Sequence, residues 1–238
     1  MWTQLFSLGV DLAMVFGPVI GYVDQYRMIR QERSSEAFSK RISLILMISN
    51  ILRVFYWFGA RFDTVLLFQS LVMVLAQFIM LDVCCRYPSN SQKRSAPLFS
   101  SNRFSWNEFW DWPDLKSYAT FIVMFVGVVG LSSGVLMFLS PLFVEVVGFA
   151  ALMIEATLGL PQLIQNYQNG NTEGFSMVLL GTFFLGDAFK TITFIVRHNP
   201  IPFIACGTFQ LMVDFALLYQ VLTYSGKKNK SGQAHMPF

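Results

Sequence analysis

Glu36-Ala37-Phe38-Ser39 and Glu173-Gly174-Phe175-Ser176 are near copies of one tetrapeptide set 137 residues apart, and reading outward from them decides the fold. The same shift lays Ala13 on Ala150, Gln25 on Gln162, Phe78 on Phe215 and Leu81 on Leu218, with no gap. The match runs over about seventy positions, well beyond a short motif. It also sets Asn50 on Asp187, Arg53 on Lys190 and Gln77 on Asp214, so polar residues inside apolar runs coincide. The chain therefore reads as a duplicated membrane unit. Duplicated bundles of this kind commonly place a pathway for a solute or lipid between their halves.

Hydrophobic residues make up 54% of the 238 residues and charged ones only 13%, more apolar surface than a soluble core absorbs. Seven runs have the length that crosses a hydrocarbon layer. They lie near 5–23, 42–59, 64–83, 118–139, 143–164, 175–196 and 201–224. With the N-terminus lumenal and the C-terminus cytosolic, thirteen Lys and Arg fall in cytoplasmic segments, against Arg61 and Arg197 on the other side. That asymmetry fixes the expected orientation. A three-helix unit inverts the copy that follows it, so an intervening fourth helix restores a parallel one.

The expected fold is all-α integral membrane, seven transmembrane helices in a 3+1+3 arrangement of two parallel three-helix repeats. Residues 1–85 form the first repeat, 86–117 a cytosolic linker, 118–139 the linker helix, 140–224 the second repeat and 225–238 a basic tail. The linker ends in Phe104-Ser105-Trp106-Asn107-Glu108-Phe109-Trp110-Asp111-Trp112. Its alternation of aromatic and polar residues suits a segment at the headgroup level, with partner binding as the alternative. The tail, with Lys227, Lys228 and Lys230, is expected to stay unstructured near anionic lipid. Gly17 and Gly21, four apart, offer a place for close helix contact. The first basic residue is Arg27, after the first apolar run, so that run reads as a retained helix rather than a signal peptide. Three cysteines, Cys84, Cys85 and Cys206, give no disulfide framework.

Asn50, Arg53, Gln77, Glu155, Asp187, Lys190 and Asp214 sit near the middle of these runs. A charge there costs about 2.5–3.5 kcal/mol on insertion scales, so these side chains should face the bundle interior. Asp187 and Lys190 are three apart, neighbours on one helix face, and Asn50 and Arg53 repeat the spacing. A salt bridge that fixes packing and a pathway lining are both consistent with the pair. Of the acids Glu155, Asp187 and Asp214, two are offset by Arg53 and Lys190. The surplus carboxyl, Glu155 or Asp214, is a candidate proton site, because burial disfavours a lone charge.

Glu155-Ala156-Thr157-Leu158-Gly159-Leu160-Pro161-Gln162 carries a proline inside a membrane helix. Pro161 has no amide hydrogen, so it withholds a helical donor from the Thr157 carbonyl and favours a kink. The Gln162 side chain could replace that bond. Pro161-Gln162 followed by Thr172-Glu173-Gly174-Phe175-Ser176 resembles the PQ-loop family, and the resemblance spans nearly all seven helices. That family includes lysosomal cystine and cationic amino acid exporters and is related to sugar transporters of the same 3+1+3 plan. A closer likeness, to the solute carrier family 66 branch, rests on several blocks. They are Tyr22-Val23-Asp24-Gln25-Tyr26-Arg27, Asn50-Ile51-Leu52-Arg53, Phe58-Gly59 with Arg61-Phe62, Phe109-Trp110-Asp111-Trp112 and Gly186-Asp187-Ala188-Phe189-Lys190-Thr191.

The resemblance implies a protein of endosomal and trans-Golgi membranes that moves phospholipid between leaflets and serves endosome-to-Golgi retrograde traffic. Membrane lipids, protons, and flippase or traffic-machinery proteins are its implied partners, with no nucleic acid. The wider family implies proton-linked export of amino acids or other small solutes from lysosomes or endosomes. A trafficking receptor is a third class. Pro161, Gln162 and Gln25 carry over as hinge residues, and Asp187, Lys190, Asn50 and Arg53 as polar pathway residues. The first repeat departs from the pattern, with Asp24-Gln25 in place of proline and glutamine, which leaves its hinge in doubt.

No enzyme is expected. Gly130-Leu131-Ser132-Ser133-Gly134 spells a serine-hydrolase motif but lies in an apolar helix rather than a strand-to-helix turn. His198 and His235 have no cysteine cluster at ligand spacing, so neither a metal nor another cofactor is implied.

Overall fold

Duplication fixes where the helices begin. In the computed structural model, which describes residues 2–35, 38–88, 110–169, 172 and 177–233, the second helix of each repeat starts at Lys40 and at Met177. The third starts at Thr64 and at Ile201. Both pairs are separated by the same 137 residues as the sequence copies. Glu36, residues 104–109 and Glu173-Gly174-Phe175-Ser176 lie outside the described residues.

The helices are α1 Trp2–Glu32, α2 Lys40–Ala60, α3 Thr64–Arg86, α4 Leu115–Leu139, α5 Pro141–Ala156, α6 Leu160–Asn169, α7 Met177–Val196 and α8 Ile201–Gln233. A 3-10 turn, Thr157–Gly159, joins α5 to α6, so these two form one broken span. Among the described residues six stretches are long and apolar enough to cross a membrane, and α7 adds a seventh helix. The chain is thus an all-α multi-pass membrane protein in 3+1+3 order.

Two ends differ from expectation. The first apolar run stops near residue 23, yet α1 continues to Glu32, carrying the exposed Asp24–Arg27 pair at 3.7 Å. Helical hydrogen bonds do not need lipid around them, so apolar length sets the span and not the helix end. At the other terminus α8 runs through Lys227, Lys228 and Lys230 to Gln233, where an unstructured tail was expected. Once a helix is nucleated, each further residue adds a bond at small cost.

By contact the chain divides into two units, Met1–Ala151 and Leu152–Phe238. Within the first, α3 packs against both α1 and α2, and α4 lies on α2 and α3. Ser49 Oγ donates to the Ala151 carbonyl at 2.8 Å. Gly148 has no side chain because the Tyr56 ring fills that place: a Cβ there would meet ring carbons at 2.5–2.7 Å. Within the first unit Gly17 and Gly21 make no close helix contact: no described residue lies within 4 Å of a Cβ built at either.

The end of the linker also differs from its reading. Trp110 and Trp112, placed at the headgroup level by sequence, are 1% and 4% exposed. They pack with Met47, Ile51, Leu81, Tyr118 and Ile122. Lys40 and Asp111 form a partly buried ion pair beside them. Tyr118 Oη donates to the carbonyls of Trp112 at 2.9 Å and Trp110 at 3.2 Å. An indole is satisfied by any surface that covers its apolar body, and here protein provides it.

Within the second unit α8 occupies the same place that α3 holds in the first: it packs against α7 on one side and against the 3-10 turn and α6 on the other. Leu180, Val213, Leu217 and Val221 form its buried core. Gly159 lies against Val213, whose Cγ1 would be 2.9 Å from an added Cβ. The break in the span therefore rests directly on α8.

Candidate functional site

The break is built by its own backbone. Leu160 N–H reaches the Thr157 carbonyl, closing the 3-10 turn one residue early. That bond supplies the donor Pro161 cannot, so the carbonyl expected to be stranded is satisfied. Thr157 Oγ1 donates to the Ile154 carbonyl at 3.0 Å and ties the turn to α5. Gln162, expected to repair the helix, is turned elsewhere: its Nε2 donates to Asn166 Oδ1 at 2.7 Å. In the first repeat Gln25 sits half-buried on α1, which runs unbroken through the equivalent positions despite Pro18.

A charged cluster lies between α7 and α8. Lys190 Nζ is 3.5 Å from Asp187 Oδ1, with the two side chains only 21% and 11% exposed. The i,i+3 spacing read from sequence thus produces a real pair on one face. Asp187 also faces Asp214 from α8, so two carboxyls and the Lys190 ammonium converge on one seam. Glu155, near the end of α5, lies close enough for its charge to reach Asp187. Asp214 Oδ2 is buried with no hydrogen-bond partner among the described residues, as is Thr191 Oγ1 one turn along α7. Thr191 faces the bare backbone of Gly207, where an added Cβ would stand 2.7 Å from its hydroxyl. The seam between α7 and α8 is therefore polar from Asp187 to Thr191, a little over one turn of α7.

The first unit holds the counterpart of this seam, with its acids replaced by amides and its cation kept as Arg53. Asn50 and Arg53 on α2 are 1% and 4% exposed, and Gln77 on α3 is fully buried. Asn50 Nδ2 donates back to the Leu46 carbonyl at 2.8 Å. Asn50 Oδ1 and both amide atoms of Gln77 have no partner among the described residues. Amides here replace the acid pair of the second unit, so Asn50 and Gln77 keep their polarity without a proton to exchange.

The structure brings together Asp187, Lys190 and Asp214, with Glu155 near enough to act by charge, and sets Pro161 and Gln162 at the break. Two side chains that sequence reading passed over also belong here. Asn166 is 3% exposed, and Gln220 Nε2 donates to the Leu163 carbonyl at 2.9 Å. The 137-residue shift could have found them, because it sets these two amides on Ile29 and Val83.

Residues 143–203 match a family model described as the PQ loop repeat, covering the broken span and α7. Scramblase ANY1 of Saccharomyces cerevisiae is 23% identical over 294 residues, spanning 93% of this chain and 72% of the yeast protein. Among solved structures, a eukaryotic SWEET transporter superimposes with a TM-score of 0.65 at 15% identity, covering 95% of this chain and all of that one. At that identity the likeness is one of fold.

Proposed function

The chain is a PQ-loop repeat membrane protein, and from that premise we propose that it moves phospholipid between bilayer leaflets. The observation that carries this reading is the buried seam of Asp187, Lys190, Asp214 and Thr191 inside the second unit. A lipid headgroup entering hydrocarbon must give up water, and unpaired polar groups there are costly. A seam of fixed charges and amides supplies replacement partners while acyl tails stay in lipid. The similarity to a protein named as a scramblase supports the lipid substrate. Endosomal and trans-Golgi membranes, retrograde traffic, and flippase or traffic-machinery partners belong to the same proposal. We assign it no enzymatic step.

Leaflet exchange of fluorescent phosphatidylcholine by purified protein in sealed vesicles, read with an impermeant quencher, is the test. The wild type is expected to quench beyond the roughly half of label accessible without protein, and Asp187→Asn and Lys190→Ala to reduce the excess. Folded protein that quenched no more than empty vesicles would overturn the reading. Proton-linked export of a small solute is the second reading, favoured by the buried convergence of Asp187, Asp214 and Lys190. Proton uptake accompanying solute efflux, without lipid exchange, would identify it.

A further inference from the structure

Gln162, Asn166 and Gln220 meet where α6 leaves the break, and together they leave one donor and one acceptor unused. Asn166 Oδ1 is taken by Gln162 Nε2 at 2.7 Å, while Asn166 Nδ2 is buried without a partner. Gln220 Nε2 is spent on the Leu163 carbonyl at 2.9 Å, while Gln220 Oε1 is buried without a partner. A helical carbonyl points along the axis toward the next turn, so the Leu163 oxygen lies at the level of Asn166. The Gln220 amide is thus held within the same turn as the orphaned Asn166 donor. Donor and acceptor belong to one turn and do not bond to each other, so a group able to satisfy both would complete the pair.

The first repeat shows that this arrangement is not required for packing. Its equivalent positions carry Ile29 and Val83, each 2% exposed, which pack with Met80 and Cys84 in one apolar cluster. The second repeat has exchanged that apolar clasp for two amides whose spare atoms are shut away from water. Buried polar atoms without partners are rare because leaving them unmade is costly, and such atoms call for a missing partner.

We propose that Asn166 and Gln220 form a recognition site for a hydroxyl group, of the kind carried by glycerol and inositol headgroups or by a free polyol. A hydroxyl donates one hydrogen, here to Gln220 Oε1, and accepts one, here from Asn166 Nδ2. A choline headgroup has no hydrogen to donate and cannot complete the pair. The site rests on the lipid-translocation reading for its setting and names the headgroup class that the pathway favours.

The experiment compares leaflet exchange of fluorescent phosphatidylglycerol, phosphatidylinositol and phosphatidylcholine by full-length protein. It sets the wild type beside the double substitution Asn166→Ile with Gln220→Val, which installs the residues the first repeat already packs. The wild type is expected to exchange the hydroxyl-bearing lipids about fivefold faster than phosphatidylcholine, the worth of one net hydrogen bond. The double variant should lose the preference, exchanging all three lipids at one rate. Free myo-inositol that slows only the hydroxyl-bearing lipids would show that a free polyol also takes the site, whereas no slowing would restrict it to headgroups. Equal rates for all lipids in the wild type, or a preference that survives the substitution, would overturn the site. Wild-type protein that exchanged no lipid at all would instead sink the translocation reading. The site would then be decided by melting temperature in detergent with myo-inositol: a rise confined to the wild type supports it, and equal behaviour of both proteins refutes it.

Discussion

Arg61 and His198, 137 residues apart, both stand in left-handed backbone, at φ 47° and 52°, each just past the second helix of its repeat. The two ends are variants of one design. Arg61 N–H returns to the Trp57 carbonyl at 2.9 Å, a single closing bond. At His198 the bonds are nested, from His198 N–H to Ile195 and from Asn199 N–H to Phe194. These are the αL and Schellman endings, which glycine ordinarily serves.

Left-handed backbone costs a non-glycine residue about 1–2 kcal/mol, and glycine gives back about 0.5–1 kcal/mol through its freer unfolded chain. His198→Gly is therefore expected to raise thermal stability in detergent, by under about 1.5 kcal/mol, while His198→Ala gives no gain. Arg61→Gly should gain less, because it also removes the guanidinium stacked 4.5 Å above the Trp57 ring. A glycine variant no more stable than the alanine one would mean that strain is absent at His198.

Gly148→Ala is expected to destabilise the first unit by about 1–3 kcal/mol, since its methyl would enter the space of the Tyr56 ring. Tyr56→Ala in the same chain should restore part of the loss, because the two changes share one contact. Purely additive losses in the double variant would show that the ring is not what excludes the methyl.

Pro161→Ala returns the amide hydrogen that α-helical bonding to Thr157 needs. The expected outcome is a straighter span, with the new amide at 161 protected, exchange at Gln162 slowed relative to the wild type, and leaflet exchange reduced. Unaltered lipid exchange in a protein with protected amides would mean that the break is a static kink.

The helix starts at Lys40 and Met177, and at Thr64 and Ile201, were legible because duplication is written in the residues themselves. Asp187 with Lys190 was legible as an i,i+3 pair. Asp214 was legible as a buried acid but not as the neighbour of Asp187, because proximity across two helices leaves no trace in local spacing. The burial of Trp110 and Trp112 was hidden for a similar reason: headgroups and protein both cover an indole, and Met47, Ile51 and Leu81 are remote in sequence. Asn166 and Gln220 stood in plain view once the shift to Ile29 and Val83 was asked about, since an amide replacing an apolar residue marks a divergence between copies.

The Tyr118 hydroxyl shared between the carbonyls of Trp110 and Trp112 works as a cable clamp. Tension arriving along the chain at Trp110 is divided among the wedged indoles, the Lys40–Asp111 tie to α2 and the Tyr118 hydroxyl of α4. A load entering at Trp110 is thereby shared by α2, α3 and α4, and no single helix takes the whole tug.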